Sequence, residues 1–248
     1  MEILSESIGT LFTKLKLATL ARDWESIEFT DKTQYLRDLL EYELSSREAN
    51  RITRMVKTAN FQVVKTLDDF DWHKQIQLPD SITKAEILRG KYIKNKENLI
   101  FLGSVGTGKT HLATALSVDA CNNGTKTKFF TAASLANTLV ERNQKGTLGS
   151  FMENLRKTQL IVIDEIGFIP LHKEAAELLF QVISECYERK SLIITSNLEF
   201  SGWNAVFGDN RLTAALIDRL VHHSHILIFS GESRRLQSAM RTSKMKVS

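Results

Sequence analysis

Gly103-Ser104-Val105-Gly106-Thr107-Gly108-Lys109-Thr110 satisfies G-x-x-x-x-G-K-[ST] at every fixed position, and its flanks place it where that pattern has a physical meaning. The apolar run Leu99 to Leu102 stands before it, and a stretch with helical spacing follows. A glycine-rich turn between a strand and a helix lets backbone N–H groups curl around phosphate oxygens at the positive end of a helix dipole. Lys109 then reaches the β and γ oxygens, and the Thr110 hydroxyl is free to join a Mg²⁺ shell. The chain is therefore predicted to bind a nucleoside triphosphate through Gly103, Ser104, Val105, Gly106, Thr107, Gly108, Lys109 and Thr110, with His111 beside them. The loop specifies a ligand and leaves the reaction open.

Four further apolar runs follow that of Leu99 to Leu102: Thr127 to Phe130, Leu160 to Ile163, Leu192 to Thr195, and His225 to Phe229. They are continuous rather than alternating, and helical patterns separate them, which predicts strands buried on both faces. The expected fold is α/β, with a parallel five-stranded sheet flanked by helices. Upstream, residues 1 to about 60 contain no Pro and one Gly, with apolar positions such as Leu11, Leu15 and Ala18, then Tyr35, Leu36, Leu39, Leu40 and Leu44, at helical spacing. Their apolar stripe needs a surface to cover it. Thr66 to Trp72 and Leu78-Pro79-Asp80 break the helical pattern. The expected organisation is an all-helical module over 1–65, a linker and approach to the nucleotide pocket over 66–95, and a nucleotide-binding domain over 96–248.

No segment approaches the roughly 20 apolar residues of a membrane span, so no membrane partner is expected. The acidic start, Met1-Glu2-Ile3-Leu4-Ser5-Glu6, has no basic n-region, which predicts a cytoplasmic protein. Cys121 and Cys186 are isolated from each other and from any His cluster, and read as buried small hydrophobes rather than a disulfide or zinc site. The net charge is +4, and Arg234, Arg235, Arg241, Lys244 and Lys246 gather in a tail without Asp or Glu. Such a tail suits either a solvated terminus or nucleic acid.

Leu160-Ile161-Val162-Ile163-Asp164-Glu165 ends a buried strand in two carboxylates, beyond the strand end where parallel sheets bind their ligands. Asp164 is the candidate Mg²⁺ ligand together with Thr110. Glu165, pointing elsewhere, is the candidate that polarises the water attacking the γ-phosphate. Leu192 to Thr195 leads into Ser196-Asn197, and the Asn197 amide is placed to hold that water or a γ oxygen. Arg211 and Arg219 lie eight residues apart on one helical pattern, on broadly similar faces, so that one of them is a candidate cation for a neighbour's site.

These features, in this order, resemble the AAA+ ATPase family over about residues 70 to 248. Within it, Ser196 to Trp203, Phe207 to Leu220 and His222-His223-Ser224-His225-Ile226 resemble the IstB-type helper ATPases of bacterial insertion sequences, relatives of the DnaC-type helicase loaders. The resemblance implies ATP and Mg²⁺ as cofactors, Arg219 as an arginine finger acting in trans, and Arg235 as a second sensor. It also implies ATP-dependent self-assembly on duplex DNA into a ring or spiral homo-oligomer that recruits and activates a transposase. Loops of this family commonly carry Pro where Ser104 and Val105 stand; those positions supply mainly backbone. Arg234 and Arg235 are adjacent, so on a helix one of the two faces solvent.

The stretch Ala132 to Lys157, broken at Lys145 to Ser150, resembles the extra helical insertion of initiator-type AAA+ proteins. Arg142, Lys145, Arg156 and Lys157 are its candidate DNA contacts, with Glu141 and Glu153 leaving a solvated face as the alternative. No base-reading motif is present, so recognition largely independent of sequence is expected. A helicase loader is the alternative within the clade. A small-molecule P-loop kinase, or an architectural DNA-binding protein that binds ATP without turnover, are the alternatives outside it.

Overall fold

The computed structural model describes residues 2–72, 76–231 and 233. Six strands form one sheet: β1 (Ile76–Gln77), β2 (Asn98–Gly103), β3 (Thr127–Thr131), β4 (Leu160–Ile166), β5 (Ser191–Ser196) and β6 (Ser224–Phe229), in the order β1-β6-β2-β5-β4-β3. All five predicted strands are present, and their four pairings are parallel. The sixth strand was not expected: β1 pairs antiparallel with the edge of β6, Ile76 opposite Phe229 and Gln77 opposite Ile228. Two residues are too few to leave a period-two trace in a sequence.

Alternation along these strands feeds two cores, which is why the runs are apolar throughout. Ile100, Ile161, Ile163, Leu192 and Ile194 face one core, where they meet α7 (Ala132–Gln144), α8 (Leu148–Arg156), α9 (Lys173–Cys186), α10 (Asn204–Phe207) and α11 (Asn210–His222). Leu99, Phe101, Leu160, Val162, Ile193 and Leu227 face the other, against α6 (Lys109–Asn122). Phe70, Ile76, Ile82, Ile87 and Tyr92 pack into this second core, so residues of the 66–95 stretch line the sheet, with α4 (Lys84–Leu88) and α5 (Lys91–Asn95) among them. His225 in β6 secures the stretch further: its Nδ1 lies 2.8 Å from Ser81 Oγ and its Nε2 3.1 Å from Glu97 Oε2. Both cysteines are free and buried, and burial pushes the Cys186 thiol up to about 12. Among the described residues no helix is long and apolar enough to cross a membrane.

The chain divides into two compact units, residues 1–54 and 55–248, with the division inside α3 (Lys32–Ala59). In the first, α1 (Glu2–Lys14) and α2 (Ala18–Asp23) precede α3. Glu43 of α3 is buried with its Oε2 3.0 Å from the backbone N–H groups of both Thr19 and Leu20, which donate to it from the first turn of α2. Arg47 donates to the other carboxylate oxygen at 2.7 Å. A carboxylate at a helix N-terminus thus meets donors that have no partner within the helix. Of the predicted α3 stripe, Leu39 is buried, whereas Leu36, Leu40 and Leu44 are 57, 48 and 64% exposed.

Candidate nucleotide-binding and catalytic site

The loop leaves β2 at Gly103 and enters α6 at Lys109, at the carboxyl edge of the sheet. Two of its glycines are required by what lies against them. Gly103, at φ +145, passes so close to β6 that a Cβ would collide with the Phe229 carbonyl. Gly106, at φ +81, lies against the Ser233 side chain, where a Cβ would collide with Oγ. Both φ values are also ones that L side chains rarely adopt. Lys109 Nζ donates to the Gly103 and Ser104 carbonyls, at 2.6 and 2.7 Å, and the Thr107 hydroxyl donates to the Ser104 carbonyl at 2.8 Å. The loop is thereby closed on itself around its lysine.

Asp164 is buried in β4 and accepts from the Thr110 hydroxyl at 3.0 Å and from the Thr195 hydroxyl at 2.5 Å. Burial pushes its carboxyl up, an effect opposed by these two hydrogen bonds and by Lys109. Two hard oxygen donors from separate elements, beside the loop lysine, are suited to Mg²⁺. The residues Thr110 and Asp164 thus fit the ion expected of them.

Glu165 owes its direction to a bulge. Ile163 pairs with Ile194 and Ile166 with Ser196, so β4 spends one more residue than β5 over this interval. Glu165 takes φ +62, uncommon for a residue with a side chain, and is exposed while Asp164 is buried. Its backbone N–H donates to Thr195 Oγ1 at 2.9 Å. One hydroxyl therefore bridges the backbone of Glu165 and the carboxylate of Asp164. Thr195 escaped the sequence reading because it resembles any other residue of a buried strand; only the placement of β5 beside β4 reveals it.

Glu165 and Asn197 line one small cavity of about 40 Å³ with Val105, Gly106, Lys109, Thr110, Phe168 and Thr195. A larger one, about 730 Å³, opens on the other side of the loop, lined by Gln62, Lys65, Phe70, Thr114 and Phe129 besides Gly106 to Thr110 and His111, Thr107 excepted. His111 stacks edge-on with Phe70, centroids 5.3 Å apart. Nothing in the motif signalled Gln62, Lys65 or Phe70; the chain between α3 and β1 brings them there.

Arg219 lines neither cavity. Half-buried on α11, it donates to the Ser184 hydroxyl and sits 4.9 Å from the centre of the Phe180 ring, both on α9. Arg211, in the first turn of α11, is exposed. Of the candidate DNA contacts, Lys145 pairs with Glu141 at 2.5 Å and Arg156 with Glu185 at 3.0 Å and Glu153 at 3.2 Å. Arg142 and Lys157 are exposed. Arg235, its neighbour Arg234 and the rest of the basic tail lie outside the described residues.

A phosphate loop between β2 and α6, with the Asp164 and Glu165 carboxylates on β4 just beyond the intervening β5, marks a P-loop ATPase. The fold has the same affinity: a DnaA replication initiator bound to AMPPCP and single-stranded DNA aligns with a TM-score of 0.55 at 22% identity over 67% of this chain and 50% of that one. The DnaC helicase loader aligns at 0.53 and 22% identity over 66% of this chain and 96% of its own. Residues 10–242 match the family described as IstB-like ATP binding protein, and the chain belongs to that family. It is 36% identical to the ATP-binding protein of insertion sequence IS5376 from Geobacillus stearothermophilus, over 94% of this chain and 95% of that protein. It is 38% identical to the corresponding protein of IS232 from Bacillus thuringiensis subsp. berliner, with the same coverage.

Proposed function

We propose that this protein is the ATP-dependent helper of an insertion-sequence transposase, assembling on duplex DNA in its ATP-bound form and releasing it by hydrolysis. What supports this most is the arrangement around Thr195: a carboxylate suited to a metal, a second carboxylate aimed away from it, and a phosphate loop facing both, in a chain of the IstB-like family. The triphosphate lies along residues 103–110, with the base and ribose in the larger cavity beside His111 and Phe70. Thr110 and Asp164 would hold Mg²⁺, which would supply charge neutralisation on the triphosphate. Glu165 takes a proton from the attacking water as the bond to phosphorus forms and the β–γ bridge breaks, leaving ADP and phosphate; Asn197 orients the water.

Arg219 serves a neighbouring subunit, leaving Ser184 to meet the γ oxygens there, and Arg235 is the second sensor. Such a head-to-tail contact repeats into a ring or spiral. Arg142, Lys145, Arg156 and Lys157 face the DNA backbone, and the transposase is the partner that the assembly activates. A helicase-loader role is the competing reading, favoured by the likeness to DnaC in fold.

Sedimentation with duplex DNA of increasing length tests the proposal, in the absence of nucleotide and with ADP, ATP or a slowly hydrolysed analogue. Large DNA-bound assemblies are expected only with ATP or the analogue, and not with Arg219→Ala. A monomer indifferent to DNA and nucleotide overturns the helper reading.

A further inference from the structure

We propose that Glu188, His222 and His223 form a binding site for a divalent transition-metal ion, with zinc the best-suited ion, on the face of the domain remote from the phosphate loop. Glu188 lies in the turn after α9, at φ +56; His222 is the last residue of α11 and His223 follows it. One ligand atom from each lies within 4.8 Å of the other two. His223 Nε2 and Glu188 Oε1 are 2.9 Å apart. Ligands about 2.0–2.1 Å from a tetrahedral ion are separated by roughly 3.3 Å, so this pair already stands near the spacing of one tetrahedral edge.

His222 completes the set. Its ring is perpendicular to that of His223, with centroids 4.4 Å apart. Its Nδ1 lies 3.0 Å from the Tyr187 hydroxyl. A metal-bound imidazole commonly has its other nitrogen held in this way by an oxygen that fixes ring and tautomer, which leaves the second nitrogen as ligand. Two imidazoles and one carboxylate suit zinc, nickel or cobalt rather than Mg²⁺, which prefers oxygen ligands throughout. The remaining coordination position faces solvent, since Glu188 and His222 are exposed.

The place of the site gives it a role. The His223 carbonyl accepts from the backbone N–H of Asn98 at the amino end of β2, opposite the edge from which the phosphate loop departs. A bound ion therefore takes no part in phosphoryl transfer. It ties the turn after α9 to the end of α11, the helix that carries Arg219 against α9.

The test uses full-length protein without a polyhistidine tag, stripped with EDTA, in the absence of nucleotide. Zn²⁺ is titrated by calorimetry, Co²⁺ by its visible absorption, and thermal melting is followed with and without each ion. The expected result is one ion per chain, a tetrahedral cobalt spectrum and a raised melting temperature. Affinity is expected to fall about tenfold or more in His222→Ala, His223→Ala and Glu188→Gln, and by a smaller factor in Tyr187→Phe. Glu188 and His222 are exposed and Tyr187 and His223 half-buried, so melting in EDTA close to that of the wild type is the check on folding. Absence of binding, or binding unchanged in both histidine variants, overturns the site and leaves only a His223–Glu188 hydrogen bond. Neither result bears on the phosphate loop.

Discussion

At Glu165 the backbone adopts a conformation that costs on the order of 1 kcal/mol or more for a residue with a side chain, and the Thr195 hydroxyl is what holds it there. Thr195→Val keeps the shape and burial of the side chain but deprives the Glu165 N–H of its acceptor and Asp164 of a donor. A positioning role predicts a fall in kcat for ATP hydrolysis of about 10- to 100-fold with little change in nucleotide affinity, and recovery in Thr195→Ser. Steady-state hydrolysis together with equilibrium binding of a fluorescent ATP analogue separates the two effects. Equal loss in Thr195→Ser, or an unchanged kcat in Thr195→Val, removes the role. The loop, Asp164 and Glu165 were legible in sequence because each belongs to a local pattern, a turn chemistry or a strand end. Thr195 was not, because its partners stand on another strand and only the sheet order joins them.

Among the elements, α2 depends on a residue of α3. The Glu43 carboxyl is lowered from its ordinary 4.5, against the opposing effect of burial, by the Arg47 guanidinium and by the N–H groups of Leu20 and Thr19. A lowered carboxyl stabilises the fold fully above its unfolded value, and that contribution is lost as the pH falls through the folded value. Glu43→Ala is expected to cost on the order of 2 kcal/mol, because it leaves buried N–H groups without an acceptor. Faster amide exchange at Thr19 and Leu20 near neutral pH is the measurement, and wild type approaches the variant on acidification. Unchanged exchange discards the account. The helices here were predicted from spacing alone, and spacing does not say which apolar positions find a cover. Leu39 does so within the chain, while Leu36, Leu40 and Leu44 do not. The strands were read more fully, because a run apolar on both faces demands two cores, and the sheet has two.

For the whole molecule, the proposed finger has a consequence that no single chain can display. Arg219→Ala retains its own loop and carboxylates, and Lys109→Ala retains its finger. Each variant alone is expected to hydrolyse ATP at a small fraction of the wild-type rate. Mixed in equal amounts on DNA, the two form contacts in which an intact Arg219 meets an intact loop, so part of the activity returns. A mixture no more active than its components rules out action in trans. Seen at this scale, the glycines of the loop have a second meaning. Phe229 lies against Gly103 and Ser233 against Gly106, so the chain leaving β6 runs hard against the loop before it continues into residues 234–248. A displacement of the loop therefore bears directly on Phe229 and Ser233. A change at the phosphates has two contacts to cross before it reaches the strand end at Phe229 and the chain at Ser233.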